Sequence, residues 1–234
     1  MAKMVGLSRN IKIMWLNKTV ELINEGLSTE DIKKQLNDYL SFEINSPTNL
    51  RKTREILLNI WVYDGEVTSK IRGTALNLFN TYPEYRIEIH WCMILAAYPV
   101  FRDMCKLLGK ISEFQDEITL SQIKQKLFDE WGERTTLFHS IDKMIATLKD
   151  FEVLLCNKPG KYYINKKNVT NKYIVFLLVW TSMLIDDCGY YSFFELNNFM
   201  YLFPFNYSVE KEQIIVDERF IINNFGGELT ITLK

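Results

Sequence analysis

The chain has 234 residues, of which 47% are hydrophobic and 14% aromatic, with a formal net charge of −1 at pH 7. That balance excludes a disordered chain, and it excludes a polyanion binder acting through bulk charge. The length allows one large or two to three small domains with ample core. Charge is unevenly spread: residues 1–60 carry nine Lys/Arg against seven Asp/Glu, 98–167 carry twelve against ten, and 168–234 carry four against eight. The cysteines, Cys92, Cys105, Cys156 and Cys188, are widely spaced. They read as reduced core residues of a cytoplasmic protein, not as a disulfide framework or a zinc site. The N-terminus has no secretory-signal pattern. The longest apolar run, Tyr173–Ile185, is thirteen residues where a bilayer needs roughly twenty, so no membrane span is expected.

In chain order, the apolar spacing predicts a helix over 8–25, with Ile11, Met14, Trp15, Val20, Leu22 and Ile23 inward and Gly26 after its end. Ser28 opens a second helix buried through Ile32, Leu36, Tyr39 and Leu40. Ser46-Pro47 opens a third, running to about Tyr63, with Arg51, Lys52 and Arg54 near its start. Residues 28–63 thus admit a helix-turn-helix reading, beside the plainer one of a bundle with a wet basic face. Helices over 68–82 and 84–97 complete an N-terminal segment.

Residues 98–167 give the sharpest pattern. An apolar helix (100–108), an extended piece (117–119), a helix (121–131), a break at Gly132-Glu133, a helix (134–148) and two β-like runs (153–156 and 162–165) follow in order. That is the order of a winged helix-turn-helix, whose third helix enters a DNA major groove. Thr119 and Gln122 have capping-box spacing. Ile123, Leu127 and Trp131 form one stripe; Leu137, Ile141, Met144, Ile145 and Leu148 form another. The opposite face of the third helix presents Arg134, Thr135, Thr136, His139, Ser140 and Lys143, types that reach phosphates and base edges. Lys158, Lys161, Lys166 and Lys167 stud the hairpin. Winged helices also dock proteins, and hairpin lysines also serve as solvated edge protection, so an interaction adaptor is the alternative. Beyond it, Thr170 can cap an apolar helix over 171–184, an aromatic-rich helical piece covers 192–200, and 214–216, 220–223 and 229–233 read as β with Gly226-Gly227 as a turn.

Catalytic chemistry finds little to work with. His90 and His139 stand apart, His90 reading as a core imidazole, and no phosphate-binding loop, nucleophile elbow or zinc motif occurs. Asp129-Glu130 with Glu133, and Asp186-Asp187, could in principle hold a divalent metal, and solvated helix ends suit them better. No enzyme, cofactor or metal is expected.

Four stretches carry a family resemblance: LSTEDIKKQLNDYL leading into SPTNLRKTREILLNIW (27–61), IHWCMILAAYPVFRDM (89–104), WGERTTLFHSIDKMIATLKDFEVL (131–154) and the closing ITL. The chain resembles the BrxA-like family of small proteins of BREX bacteriophage-exclusion systems. The resemblance implies a non-enzymatic accessory protein that binds double-stranded DNA beside other phage-defence subunits. It places the contacts at Arg51, Lys52 and Arg54, at Arg134, Thr136, His139 and Lys143, and at Lys161. The expected architecture is mainly α: an N-terminal helix-turn-helix-like bundle (1–97), a winged-helix-like module (98–168) and a small α+β extension packed on that module (169–234).

Overall fold

The computed structural model describes residues 6–186, 188–215, 217–225 and 228–234, and it is mainly helical with small sheets. Helix α1 (Ile13–Asn24) begins five residues later than the apolar spacing suggested. The cause is tertiary: Ile11 N–H donates to Thr147 Oγ1 (2.8 Å) and Ile13 N–H to Asp150 Oδ2 (2.7 Å), so the entering chain is held by distant acceptors. Met14, expected inside, is exposed. Of the four cysteines expected in the core, Cys92 and Cys105 are buried, while Cys156 and Cys188 are exposed. Helices α2 (Thr29–Ser41) and α3 (Pro47–Trp61) open where Ser28 and Ser46 accept from Asp31 N–H and Asn49 N–H, with Pro47 in the first turn of α3. Helix α4 (Thr68–Thr81), a 3-10 turn (Pro83–Tyr85) and α5 (Arg86–Ala97) complete the first segment.

Pro99 starts α6 (Pro99–Ser112), four residues longer at its end than the sequence indicated. Strand β1 (Ile118–Thr119) leads into α7 (Leu120–Trp131), and the Thr119–Gln122 capping box is formed in full. Gly132, at φ +78°, turns the chain into α8 (Thr135–Asp150) through a conformation that side chains with a Cβ rarely adopt. Strands β2 (Leu154–Lys158) and β3 (Lys161–Ile164) form the hairpin, with a bulge between Cys156 and Lys158. β1 pairs antiparallel with β3, Ile118 opposite Tyr162, giving the sheet order β1-β3-β2.

The last segment departs most from expectation. A two-residue strand β4 (Lys167–Asn168) pairs in parallel with β5 (Phe205–Asn206), a contact with no local signal in either stretch. Helix α9 (Lys172–Ile185) is capped by Asn171, which accepts from Tyr173 N–H, and not by Thr170. Being apolar all round, it is buried, and it lies against α5 and α4. A short helix α10 (Phe193–Leu196) and a 3-10 turn (Met200–Leu202) follow, the turn lying on α6. Of residues 214–216, read as β, Ile214 and Ile215 instead end a helical turn, α11 (Lys211–Ile215), that buries Ile214; Val216 lies outside the described residues. Strands β6 (Phe220–Phe225) and β7 (Glu228–Leu233) pair antiparallel, while the expected turn at Gly226-Gly227 lies outside the described residues.

Buried side chains of all three segments join in one core. Trp91 is its centre on the C-terminal side: its ring meets Phe101, Phe203 and Phe205 edge-on at 5.3–5.6 Å, and its Nε1–H donates to the Tyr201 carbonyl (3.0 Å). Among the described residues, no helix is long and apolar enough to cross a membrane.

Candidate nucleic-acid interface

Helix α8 separates cleanly into two faces. Leu137, Ile141, Met144, Ile145 and Leu148 are all buried, as their spacing predicted. Thr135, Thr136 and His139 are exposed, while Arg134 and Lys143 are half-buried. Ser140 is the exception: it was expected outside and is buried, because its position falls at the edge of the core stripe beside Ile141 and Met144. Four of the eight residues singled out by sequence therefore lie together, Thr136, His139 and Lys143 on α8 and Arg134 at its N-cap.

The local electrostatics refine that face. Arg134 precedes the first helical residue, where its guanidinium Nη2 donates to the Trp131 carbonyl (3.1 Å) and so braces the turn between α7 and α8. Lys143 makes no ion pair among the described residues. Asp142 beside it is answered by Lys124 of α7 (2.8 Å), whose ammonium also lies 3.5 Å from the centre of the Phe138 ring. Phe138 stacks on Phe128 and stays 42% exposed. This Lys124–Phe138–Asp142 patch was missed from sequence, since α7 and α8 had been read as separate stripes.

The wing lysines differ among themselves. Lys161 is tied to Glu117 (2.6 Å), which also accepts from Tyr163 Oη–H (2.7 Å). The Lys161 and Tyr163 hydrogen bonds hold the Glu117 carboxyl below the usual range, and Glu117 in turn raises the Lys161 ammonium. Lys161 thus fastens β3 to the segment before β1. Lys158 and Lys166 are exposed and make no ion pair among the described residues.

Arg51 and Lys52 are exposed on α3, in its first two turns. Arg54 is committed inward, with Nη2 on Glu55 Oε1 (2.6 Å) and Nη1 on Asn37 Oδ1 (3.1 Å), so it braces α3 against α2. The eight residues thus fall into three groups, on α3, on α8 and in β3. The carboxylates fall apart as well. Among the described residues no three His, Cys, Asp or Glu side chains gather closely enough to hold a metal ion; Asp187 lies outside them. Searches against family models, curated proteins and solved structures found no match to this chain.

Proposed function

We propose that the chain is a non-enzymatic double-stranded DNA-binding protein whose residues 98–168 act as a winged helix-turn-helix. One observation carries the reading. Thr135, Thr136 and His139 are exposed along the start of α8, with Arg134 at its N-cap and Lys143 further along, and α8 runs into the lysine-bearing hairpin, whose strand β2 it contacts. A helix with that face suits a major groove, with Thr136 and His139 at base edges and Arg134 and Lys143 on phosphates. Lys158 and Lys166 suit the flanking backbone; Lys161 contributes by holding the wing in place. Arg51 and Lys52 offer a second, separate contact. The BrxA-like resemblance supports the same reading and adds a setting, an accessory role beside other subunits of a phage-defence assembly in the cytoplasm.

With about four cations meeting phosphates, log affinity should fall against log salt with a slope of roughly −3 to −4. Mobility shifts of unrelated duplexes at two salt concentrations test this. Arg134→Ala combined with Lys143→Ala should weaken binding to every duplex alike; binding that ignores salt, or ignores both substitutions, would overturn the proposal. Phe138 supports the second reading. An exposed ring stacked on Phe128 beside the same helix face suits a protein partner. Under that reading no duplex is retained at low salt, and Phe138→Ser, not Lys143→Ala, removes the interaction.

A further inference from the structure

The chain leaving the hairpin, from Lys166 through β4 to the first turn of α9, carries Lys166, Lys167 and Lys172 and no acid. Residues 174–234 after it carry three Lys/Arg against eight Asp/Glu, so this short stretch is a basic island in an acidic segment. Lys166 and Lys172 are exposed and make no ion pair among the described residues. Lys167 is half-buried, and its charge is spent on the buried Glu88.

Two aromatic rings stand at the end of that stretch. Tyr173 stacks on Tyr82, the residue after α4, with ring centres 6.1 Å apart and planes 19° from parallel. A second link, between Tyr85 Oη and Thr170 Oγ1 (3.3 Å), joins the same two stretches. Tyr82 is half-buried, whereas Tyr173 remains 48% exposed, so one fixed ring keeps about half of its surface open to solvent. The Lys172 ammonium lies 5.0 Å from the centre of that ring. Glu84, in the 3-10 turn beside Tyr85, is the exposed acid of this surface, set against Lys166 and Lys172.

An open aromatic ring beside a cation suits a planar group joined to an anion, and an unpaired base with its phosphate is both. A duplex keeps its base faces inside the stack, so the ring favours a single strand. From Lys166 to Tyr173 the chain spans at most about 25 Å, room for a short run of nucleotides. We infer that this surface binds single-stranded nucleic acid, a base stacking on Tyr173 and the adjoining phosphates meeting Lys172 and Lys166. The inference goes beyond the duplex reading and does not need it. Lys166 serves in both, while Tyr173 and Lys172 belong to the single-strand surface alone, which makes the two separable.

Fluorescence anisotropy of the full chain with labelled oligo-dT about ten nucleotides long, beside oligo-U and an abasic strand of the same length, tests it. Oligo-dT or oligo-U should bind at low salt, and the abasic strand at least about fivefold more weakly. The tighter of the two identifies the strand as DNA or RNA, and either result supports the inference. Tyr173→Ala should lower strand affinity about fivefold or more, Tyr173→Phe should restore it, and duplex mobility shifts should be the same for both. Lys172→Ala should reduce the magnitude of the salt slope for the strand by about 0.7, and it decides should Tyr173→Ala fail to fold. Strand affinity unmoved by Tyr173→Ala in a folded chain, or an abasic strand bound as tightly as oligo-dT, would leave only an anion patch and overturn the inference. So would strand binding abolished by Arg134→Ala with Lys143→Ala, since the strand would then lie on α8, and so would no strand binding at low salt.

Discussion

The imidazole of His90 has no exposed atom and two fixed partners: Trp61 Nε1–H donates to its Nδ1 (3.0 Å), so Nε2 carries the proton and donates to Asn17 Oδ1 (2.9 Å). Burial, with the Arg86 charge nearby, pushes its pKa down to about 3. The unfolded chain takes up a proton there near pH 6.5, while the fold does not until far lower. The stabilisation is therefore full above about pH 6.5 and lost progressively as pH falls toward 3, by at most about 1.4 kcal/mol per unit. The buried Glu88 carboxyl, raised by burial, works in the opposite direction, since the fold binds its proton first and gains as pH falls through that range. His90→Gln, which keeps one acceptor and one donor, separates the two. Between pH 7 and 5 the native chain should lose about 2 kcal/mol more unfolding free energy than the variant in denaturant titrations. Equal losses would place the acid sensitivity elsewhere. Gly109 makes a different demand. A Cβ there would lie 2.5 Å from the Met200 carbonyl oxygen, against rigid backbone, whereas a Cβ on Gly73 of α4 would meet nothing within 4 Å. Gly109→Ala should destabilise by about 1–3 kcal/mol, and Gly73→Ala should stabilise by about 0.5–1 kcal/mol. Urea midpoints moving in the same direction would contradict the packing of the 3-10 turn on α6.

At the scale of elements, α1 and α8 complete each other. A carboxylate in the last turn of α8 opposes that helix's own dipole, yet Asp150 Oδ2 faces the unsatisfied first N–H groups of α1, where negative charge is favourable. Thr147, fully buried, accepts from Ile11 N–H while donating to the Lys143 carbonyl. Thr147→Val would leave that buried N–H without a partner and should cost about 1–3 kcal/mol; Asp150→Asn should cost less. Hydrogen exchange should show the start of α1 opening first in both variants, and protection unchanged at Ile11 would deny the linkage. The same logic settles Asp186, an acid ending α9 that accepts from the Tyr201 hydroxyl. These two acids show why part of the structure was not legible from sequence. The helices, both capping serines, the Thr119–Gln122 box and the stripes of α7 and α8 follow from spacing and local chemistry. The true start of α1 and the β4–β5 pair were set by partners far away in the chain. The exposed face of α8 was readable as the complement of its core stripe, save for Ser140 at the stripe's edge.

For the molecule as a whole, a formal net charge of −1 means that no general field gathers DNA, so any duplex contact has to come from local arrangement. The exposed acids Asp129, Glu130 and Glu133 sit at the end of α7 and in the turn before Arg134, close in sequence to the cations assigned to phosphates. A phosphate backbone drawn to Arg134 must pass near Glu133, and that repulsion is unshared, since Glu133 makes no ion pair among the described residues. Two substitutions with opposite signs follow from the proposed orientation. Glu133→Gln should raise duplex affinity about two- to fivefold at low salt, with the gain fading as screening shortens the field to about 8 Å near physiological ionic strength. Lys143→Ala should lower affinity and reduce the magnitude of the salt slope by about one, the signature of one lost phosphate contact. Both are read from mobility shifts over a salt series with the same duplex. If α8 faces a protein partner instead, neither substitution moves the salt slope. If duplex contact rests on α3 alone, Lys52→Ala changes the slope while Glu133→Gln and Lys143→Ala leave it untouched, and the groove assignment passes from α8 to α3.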